Sequence, residues 1–160
     1  MLKLGKLTDY ATVLMATMAT EPERLHAAAE LAQRSQVAAP TVAKLMKQLQ
    51  RGGLVQSLRG AKGGYQLVRP PERITVADVI AALEGPIAVT DCAVHDGGCA
   101  IEAGCAARGP FRLINAAIRE ALEAVTLADM AGSLGRRAPQ ESPIHFHPAQ
   151  RQVSHDVRRR

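Results

Sequence analysis

The stretch from Pro40 to Val68 reads PTVAKLMKQLQRGGLVQSLRGAKGGYQLV. Its first half places apolar residues at the i, i+3, i+4 and i+7 positions of one helical face, namely Val42, Leu45, Met46 and Leu49. Proline is suited to the first position of a helix, and glycine commonly follows the last. Because Pro40 opens this half and Gly52-Gly53 closes it, the sequence predicts a helix from about Pro40 to Arg51.

The opposite face of this helix is polar and basic. Its residues are Thr41, Lys44, Lys47, Gln48 and Arg51. Upstream, an Ala-rich segment from about His26 to Arg34 predicts a second helix, and residues 35–38 form a short turn between the two. Two short helices joined by a tight turn are typical of a helix-turn-helix, whose second helix lies in the major groove of DNA. The polar face is therefore the predicted DNA-reading surface.

The second half of the stretch predicts a β-hairpin. Residues 54–58 and 65–68 alternate as strands do, and the glycine-rich segment 59–64 lies between them. A hairpin directly after a recognition helix is typical of a wing, with Arg59 placed to enter the minor groove and Lys62 to contact phosphate. A phosphate-binding loop is the competing use of such glycines, but it needs the pattern G-x-x-x-x-G-K-[ST], which does not occur here.

The charges of the chain are segregated. Residues 34–73 contain eight Lys and Arg against one Glu, a net charge of +7, whereas residues 74–134 contain three Arg against eight acidic residues, a net charge of −5. A basic block next to an acidic one indicates a surface that binds phosphates. A solvated charged face is the commoner explanation of a charge run, but the helix-turn-helix pattern in the same residues favours DNA.

Helices are predicted on both sides of this unit. A first helix begins at Thr8, whose side chain is suited to cap it, and Asp9 lies in its opening turn. Pro70-Pro71 closes the wing, and Thr75 then begins another short helix. We therefore assign residues 1–84 to a winged helix-turn-helix DNA-binding domain.

A long helix follows, from Gly109-Pro110 to about Val125, and carries an apolar stripe that must be buried against a partner. The stripe consists of Leu113, Ile114, Ala117, Ile118, Ala121, Leu122 and Val125. Packing against its own domain is one solution; pairing with the same helix of a second copy is favoured, because dimeric DNA-binding proteins match two-fold half-sites. We assign 85–108 to a cofactor-binding loop, 109–134 to a dimerisation helix with a short cap, and 135–160 to a disordered basic tail. The predicted fold is mainly α with a small β-hairpin wing.

The three cysteines, Cys92, Cys99 and Cys105, lie in one glycine-rich segment with the spacing C-x6-C-x5-C. A disulfide framework is disfavoured, because an odd number leaves one thiol unpaired. Zinc is an open alternative, since His95 would complete a Cys3His set, although zinc ligands are usually paired at C-x2-4-C spacing. Iron-sulfur clusters tolerate longer spacing and are favoured over zinc.

Several classes of protein are disfavoured. The 160 residues contain no apolar run of 18 or more and no signal-peptide pattern, so we expect a cytoplasmic protein without a membrane partner. The chain has no Trp, two Phe and two Tyr, which argues against stacking on single-stranded nucleic acid. No Ser/His/Asp or Cys/His constellation has supporting sequence context, so we expect neither an enzyme nor a small-molecule substrate.

These features together resemble the bacterial Rrf2 family of winged-helix transcription regulators, and within it the regulators of the Suf iron-sulfur assembly system. The resemblance covers about residues 1–134. It is carried by the three cysteines and by four phrases: Leu7 to Ala11, Arg59 to Tyr65, Ala82 to Ile87, and Val125 to Asp129.

The resemblance implies an iron-sulfur cluster, 2Fe-2S or 4Fe-4S, held by Cys92, Cys99 and Cys105 with a fourth ligand that is not cysteine. Asp9 matches the aspartate that a nitric-oxide-sensing relative uses and is the first candidate; His95 is the second. A helix-start carboxylate that only stabilises the helix dipole is an equally good interpretation of Asp9. An oxygen ligand binds iron more weakly than a thiolate does, which implies a labile cluster.

The resemblance further implies a cytoplasmic homodimer that binds double-stranded DNA. It would repress iron-sulfur cluster assembly genes and sense cluster availability or oxidative and nitrosative stress. Two alternatives stay open: a zinc-binding or redox protein that does not read DNA, and a nitric-oxide-sensing repressor of the same family. The DNA-contacting residues would be Thr41, Lys44, Lys47, Gln48, Arg59 and Lys62.

Overall fold

The computed structural model describes residues 3–60, 63–90 and 104–134. It confirms a mainly helical chain with one antiparallel hairpin. The elements in chain order are α1 (Lys6–Ala19), α2 (Ala28–Ser35), α3 (Ala39–Arg51), β1 (Val55–Leu58), β2 (Gly64–Leu67), a 3-10 turn (Pro71–Arg73), α4 (Val76–Glu84), α5 (Arg108–Glu123) and α6 (Leu127–Leu134). In the part of the chain that the structure describes, no helix has the length and apolar character needed to cross a membrane.

Helix α1 lies at the centre of the core and contacts α2, α3, α4 and α6. Leu14, Met15 and Met18 are fully buried along it. Thr12 and Thr17 are also buried, and each hydroxyl donates to the backbone carbonyl four residues earlier, at 2.8 Å. These bonds satisfy the buried hydroxyls, so polar threonines can face the core without an unpaired donor.

The helix-turn-helix forms as predicted, with α2 and α3 packed on each other and on α1. The predicted apolar face of α3 is fully buried. The turn between the helices bends at Gln36, which has a left-handed φ of 58°. The next residue, Val37, is 8% exposed and packs into the hydrophobic core. The burial of one face of α3 fixes which of its residues remain outside.

The hairpin pairs Val55 with Leu67 and Leu58 with Gly64. A second pair of bonds ties it to the connection before α2: the N–H of His26 donates to the carbonyl of Tyr65 at 2.8 Å, and the N–H of Tyr65 donates back at 2.9 Å. Only glycine fits at residue 64, because a Cβ there would lie 2.8 Å from the His26 carbonyl oxygen. The wing is therefore fixed in orientation relative to the helix-turn-helix.

The prediction for the start of α4 is confirmed, whereas the predicted cap of α1 is wrong. Helix α4 begins after Thr75, as predicted, and has a capping box: Thr75 accepts from the N–H of Asp78, and Asp78 accepts from the N–H of Thr75. Helix α1, in contrast, is not capped by Thr8. Its N-cap is Gly5, and the buried hydroxyl of Thr8 donates to the carboxylate of Glu84. A partner 76 residues away thus replaces the local cap.

Helix α6 was predicted only as a short cap after the dimerisation helix, and it proves to belong to the core. Leu127 is fully buried in the same cluster as α1, and its N–H donates to the carbonyl of Ile74 at 2.9 Å. A capping box between Thr126 and Asp129 begins the helix. The predicted tail, 135–160, and most of the predicted cofactor-binding loop lie outside the described residues.

Candidate DNA-binding face and cysteine segment

The outer face of α3 presents free cations. Lys44 and Lys47 are exposed, and neither makes an ion pair within the residues that the structure describes. Thr41 is half-buried near the start of the helix, where Ala38 provides no side-chain cap and the first turn has no acidic residue. The start of α3 therefore has no side-chain cap and no acidic residue of its own to complement the helix dipole.

Gln48 is a correction to the predicted face. It was placed among the outward residues, but it is half-buried, and its Oε1 is buried with no hydrogen-bond partner. It lines a small cavity with Leu83 and Glu84 of α4 and the start of α1. The cause is the close packing of α3 on α4, which covers this flank of the recognition helix.

The wing presents Arg59 directly after β1, exposed and without an ion pair in the described chain. The backbone turns at Gly60, whose φ of +126° is one that side chains rarely adopt. Lys62 lies outside the described residues. Arg59 stands next to Leu58, which is 47% exposed, so the hairpin end offers both a cation and an apolar surface.

Part of the basic block serves the fold instead. Arg34 bonds to Glu21 at 3.0 Å and lies 3.6 Å from Glu30, while Arg24 bonds to Glu21 at 3.0 Å and to Glu30 at 2.7 Å. The hydrogen bond from Arg24 lowers the pKa of Glu21. These four side chains join α2 to the connection that follows α1, so Arg34 is committed to an ion-pair cluster within the fold.

Arg69 is likewise committed, because it lies 3.4 Å from the carboxylate of Asp78 at the start of α4. The charge run in the sequence did not separate such structural cations from free ones. Only the contacts do, and they leave Lys44, Lys47, Arg51 and Arg59 as the free members described on the recognition helix and wing.

Of the three cysteines, the structure describes Cys105, which has a free thiol and is half-buried just before α5. Cys92, Cys99 and the alternative ligand His95 lie outside the described residues. Among the residues described, no three His, Cys, Asp or Glu side chains come together as a metal-binding group. The predicted ligand set is thus represented there by Cys105 and Asp9.

Asp9 is exposed in the first turn of α1. Together with Tyr10, Ser35, Gln36 and other residues of the α2–α3 turn, it lines a cleft of about 440 Å³. Within the described chain its carboxylate has no hydrogen bond or ion pair. This carboxylate is therefore free to bind a metal centre or a hydrogen-bond donor directly beside the helix-turn-helix.

Helix α5 has no buried residue. Phe111, Leu113, Ile114 and Val125 along it and just after it are exposed by 37% to 75%, whereas Ile118 and Leu122 turn toward α4 over a cleft of about 490 Å³. A second exposed apolar group lies on and before α1, at Leu4, Leu7 and Tyr10. Isolated apolar residues are ordinary on a surface, whereas grouped ones are a feature of interaction surfaces.

Sequence reasoning missed two polar residues that fix the described chain on the N-terminal side of the cysteine segment. Glu84 accepts hydrogen bonds from the start of α1, and the side-chain oxygen of Asn115 in α5 accepts from the N–H of Val89 at 3.1 Å. Neither pairing has a local signal, because the partners are separated by 76 to 79 and by 26 residues. The box of Thr126 and Asp129 did carry a signal, the T-x-x-D pattern.

Comparison with known proteins places these observations in a family. Residues 4–133 match the family model of Rrf2, described as an iron-dependent transcriptional regulator. Protein aau3 of Rhizobium meliloti (strain 1021) is 30% identical over 130 residues, which cover 81% of this chain and 84% of the relative.

Two solved structures are similar over most of the chain. CymR (YrzC), the global cysteine regulator of B. subtilis, matches with a TM-score of 0.68 and 31% identity, covering 82% of this chain and 98% of CymR. IscR of T. potens matches with a TM-score of 0.65 and 28% identity, covering 87% and 94%. These relatives are regulators rather than enzymes. The helix-turn-helix, the wing and the match over residues 4–133 show that the chain belongs to the Rrf2 family of DNA-binding transcriptional regulators.

Proposed function

We propose that the protein is a homodimeric, cytoplasmic repressor of iron-sulfur cluster assembly genes that responds to a bound iron-sulfur cluster. The observation that carries the proposal is the position of Asp9. Its free carboxylate lies beside the α2–α3 turn, so a ligand bound there would act directly on the element that carries the DNA-reading helix. The resemblance of residues 59–65 and 82–87 to Suf regulators supports the choice of target genes.

The residues present fit such a cluster. Cys105 provides a reduced, half-exposed thiol, Cys92 and Cys99 belong to the same glycine-rich segment, and Asp9 provides an uncommitted oxygen ligand. His95 is the second candidate for the fourth position. The fraction of protein that holds the cluster would depend on the supply of iron and sulfide and on the level of oxidants. The chain would contribute the thiolates, the carboxylate and the coupling of both to the DNA-binding domain.

We propose that DNA binds across α3 and the wing. Lys44 and Lys47 are positioned for the major groove or its phosphates, with Thr41 at the start of the helix. Arg59 would enter the minor groove and Lys62 would contact the backbone, as expected for a wing. Gln48 belongs to this surface only at its edge, because its side-chain oxygen faces α4.

We propose that a second copy covers the apolar stripe of α5. The stripe lies outside the core of its own chain, with Leu113 75% exposed, and a self-complementary helix pair would bury it. A two-fold dimer would also present two recognition helices to two half-sites of an operator.

The test begins with protein purified without oxygen. A visible absorption band, with iron and acid-labile sulfide in matching amounts, is the expected result. Genomic DNA fragments that the protein captures should include promoters of iron-sulfur assembly genes. Colourless protein with stoichiometric zinc would contradict the cluster, and capture of other promoters alone would contradict the target genes.

A thiol-based sensor of cysteine or redox state is the second candidate. It is favoured by the likeness to the global cysteine regulator CymR and by the free thiol of Cys105. The same purification separates the two functions. A thiol sensor would bind DNA without iron and lose affinity on oxidation of its cysteines.

A further inference from the structure

The start of α1 has no cap of its own. Gly5 is its N-cap and offers no side chain, so the first N–H groups of the helix need a partner from elsewhere. Oε1 of Glu84 accepts from the N–H of Gly5 at 3.0 Å and from the hydroxyl of Thr8. A carboxylate at this position also complements the positive end of the helix dipole. Glu84 therefore supplies from α4 the cap that α1 lacks.

The carboxylate lies close to the backbone of Gly5. A Cβ at residue 5 would lie 3.1 Å from Oε1 of Glu84, which is tighter than most real contacts. Thr8 is 1% exposed, so its hydroxyl has no access to water as a substitute partner. Removal of the carboxylate would leave this hydroxyl buried with one fewer partner, a costly state.

Glu84 is also the last residue of α4 and leads into the cysteine segment. Gly85 follows with a φ of +88°, which turns the chain sharply away from the helix. Four residues later, the N–H of Val89 is held by Asn115 of α5. The stretch from Glu84 to Val89 is thus fixed to α1 at one end and to α5 at the other.

The same turn of α4 contacts the recognition helix. Gly52, immediately after α3, is so near that a Cβ on it would lie 2.5 Å from the Cβ of Ala82. Gln48 of α3 lines the cavity next to Glu84. A shift in the last turn of α4 would therefore reach both α1 and α3, because closely packed elements cannot deform independently.

We infer that Glu84 is a positioning residue that couples the cysteine segment to the first turn of α1, and through it to Asp9 and the DNA-reading helix. This inference rests on the proposed function and names the residue that would carry its regulation. A static cap would change DNA affinity equally in both states of the protein. A coupling residue changes the ratio of the two affinities, which is the measure of differential stabilisation.

The variants are Glu84→Gln, which keeps an oxygen acceptor, Glu84→Ala, which removes it, and Thr8→Val, which removes one donor. Glu72→Gln is the matched control, because Glu72 is exposed in the 3-10 turn and loses the same charge. A DNA duplex is first selected by the wild-type protein from a random library. Its Kd is then measured for oxygen-free cluster-loaded protein and for protein stripped of iron by a chelator.

We expect the wild-type and Glu72→Gln proteins to show an affinity ratio of about fivefold or more between the two states. Glu84→Ala and Thr8→Val should reduce that ratio to less than about twofold. The ratio of Glu84→Gln should lie between that of Glu84→Ala and that of the wild type. Hydrogen exchange gives a readout independent of the cluster. In stripped protein, the amide of Asp9, which donates to the Gly5 carbonyl at 3.0 Å, should exchange faster in Glu84→Ala than in the control.

The outcomes separate the two proposals. A wild-type ratio that persists in all the Glu84 and Thr8 variants overturns the inference and leaves the proposed function standing, even if exchange at Asp9 has become faster. If the wild-type protein binds DNA with equal affinity in the cluster-loaded and stripped states, both the proposed function and the inference are overturned. Loss of the ratio in Glu84→Ala and Thr8→Val, with retention in Glu72→Gln, supports both.

Discussion

Gly52 and Ala82 pack against each other so closely that a Cβ at residue 52 would lie 2.5 Å from the Cβ of Ala82. This contact joins the end of the recognition helix to α4. We predict that Gly52→Ala lowers the free energy of unfolding by about 1–3 kcal/mol, the usual cost of overpacking. Urea denaturation measures it. Gly132→Ala in α6 is the matched control, since a Cβ there meets nothing within 4 Å. Equal stability of the two variants would show that α3 and α4 can separate.

The wing should contribute a guanidinium-specific contact. Arg59→Ala removes an exposed cation without an internal partner in the described chain, so we expect weaker operator binding with little change in thermal stability. Arg59→Lys keeps the charge and should recover phosphate attraction but not minor-groove recognition. Fluorescence anisotropy at several salt concentrations distinguishes the two. Unchanged affinity of Arg59→Ala at matched salt would remove the wing from DNA recognition.

The dimer should depend on the exposed stripe of α5. Ile114 is 47% exposed within a single chain, so Ile114→Glu should leave the fold intact and place a charge in the proposed interface. Analytical ultracentrifugation should show a monomer where the wild type is a dimer, with weaker binding to a two-fold operator. Ala116→Glu is the control, because Ala116 is exposed and lies about 200° around the helix from Ile114. A dimeric Ile114→Glu variant would contradict the interface.

The cluster should depend on every cysteine. Cys92→Ala, Cys99→Ala and Cys105→Ala should each abolish the visible absorbance and uncouple operator binding from cluster state. Asp9→Asn should keep the thiolates and yield a more labile cluster, seen as faster bleaching in air. Full regulation in any of the cysteine variants would refute the cluster as the sensor. Bleaching of Asp9→Asn at the wild-type rate would contradict Asp9 as the fourth ligand and favour His95.

The start of α6 should make stability depend on pH. The side-chain hydrogen bond from Thr126, aided by its backbone N–H, lowers the pKa of Asp129. Because the folded-state pKa lies below the unfolded one, this contribution is present at neutral pH and is lost as the pH falls through the folded-state value. Urea denaturation should therefore show Asp129→Asn to be less stable than wild type near neutral pH, with the gap closing as the pH falls through the folded-state pKa of Asp129. A gap independent of pH would assign the effect to packing.

Sequence patterns alone determined the helix-turn-helix, the hairpin and the start of α4, because each depends on neighbours within a few residues. The spacing of Val42, Leu45, Met46 and Leu49 fixes a buried face, and Thr75 with Asp78 forms a local capping box. The cysteine spacing yielded Cys92, Cys99 and Cys105 as candidate ligands, and the family resemblance added Asp9.

The tertiary structure decided what depends on distant partners. Glu84 replaces Thr8 as the cap of α1 across 76 to 79 residues, and Arg34 is withdrawn from the basic surface by Glu21. Gln48 turns toward α4 although its helical position suggested the outer face. Such pairings have no period in the sequence; they arise when packed elements bring a donor and an acceptor within hydrogen-bonding distance. Their loss costs most where one partner is buried, as the hydroxyl of Thr8 is.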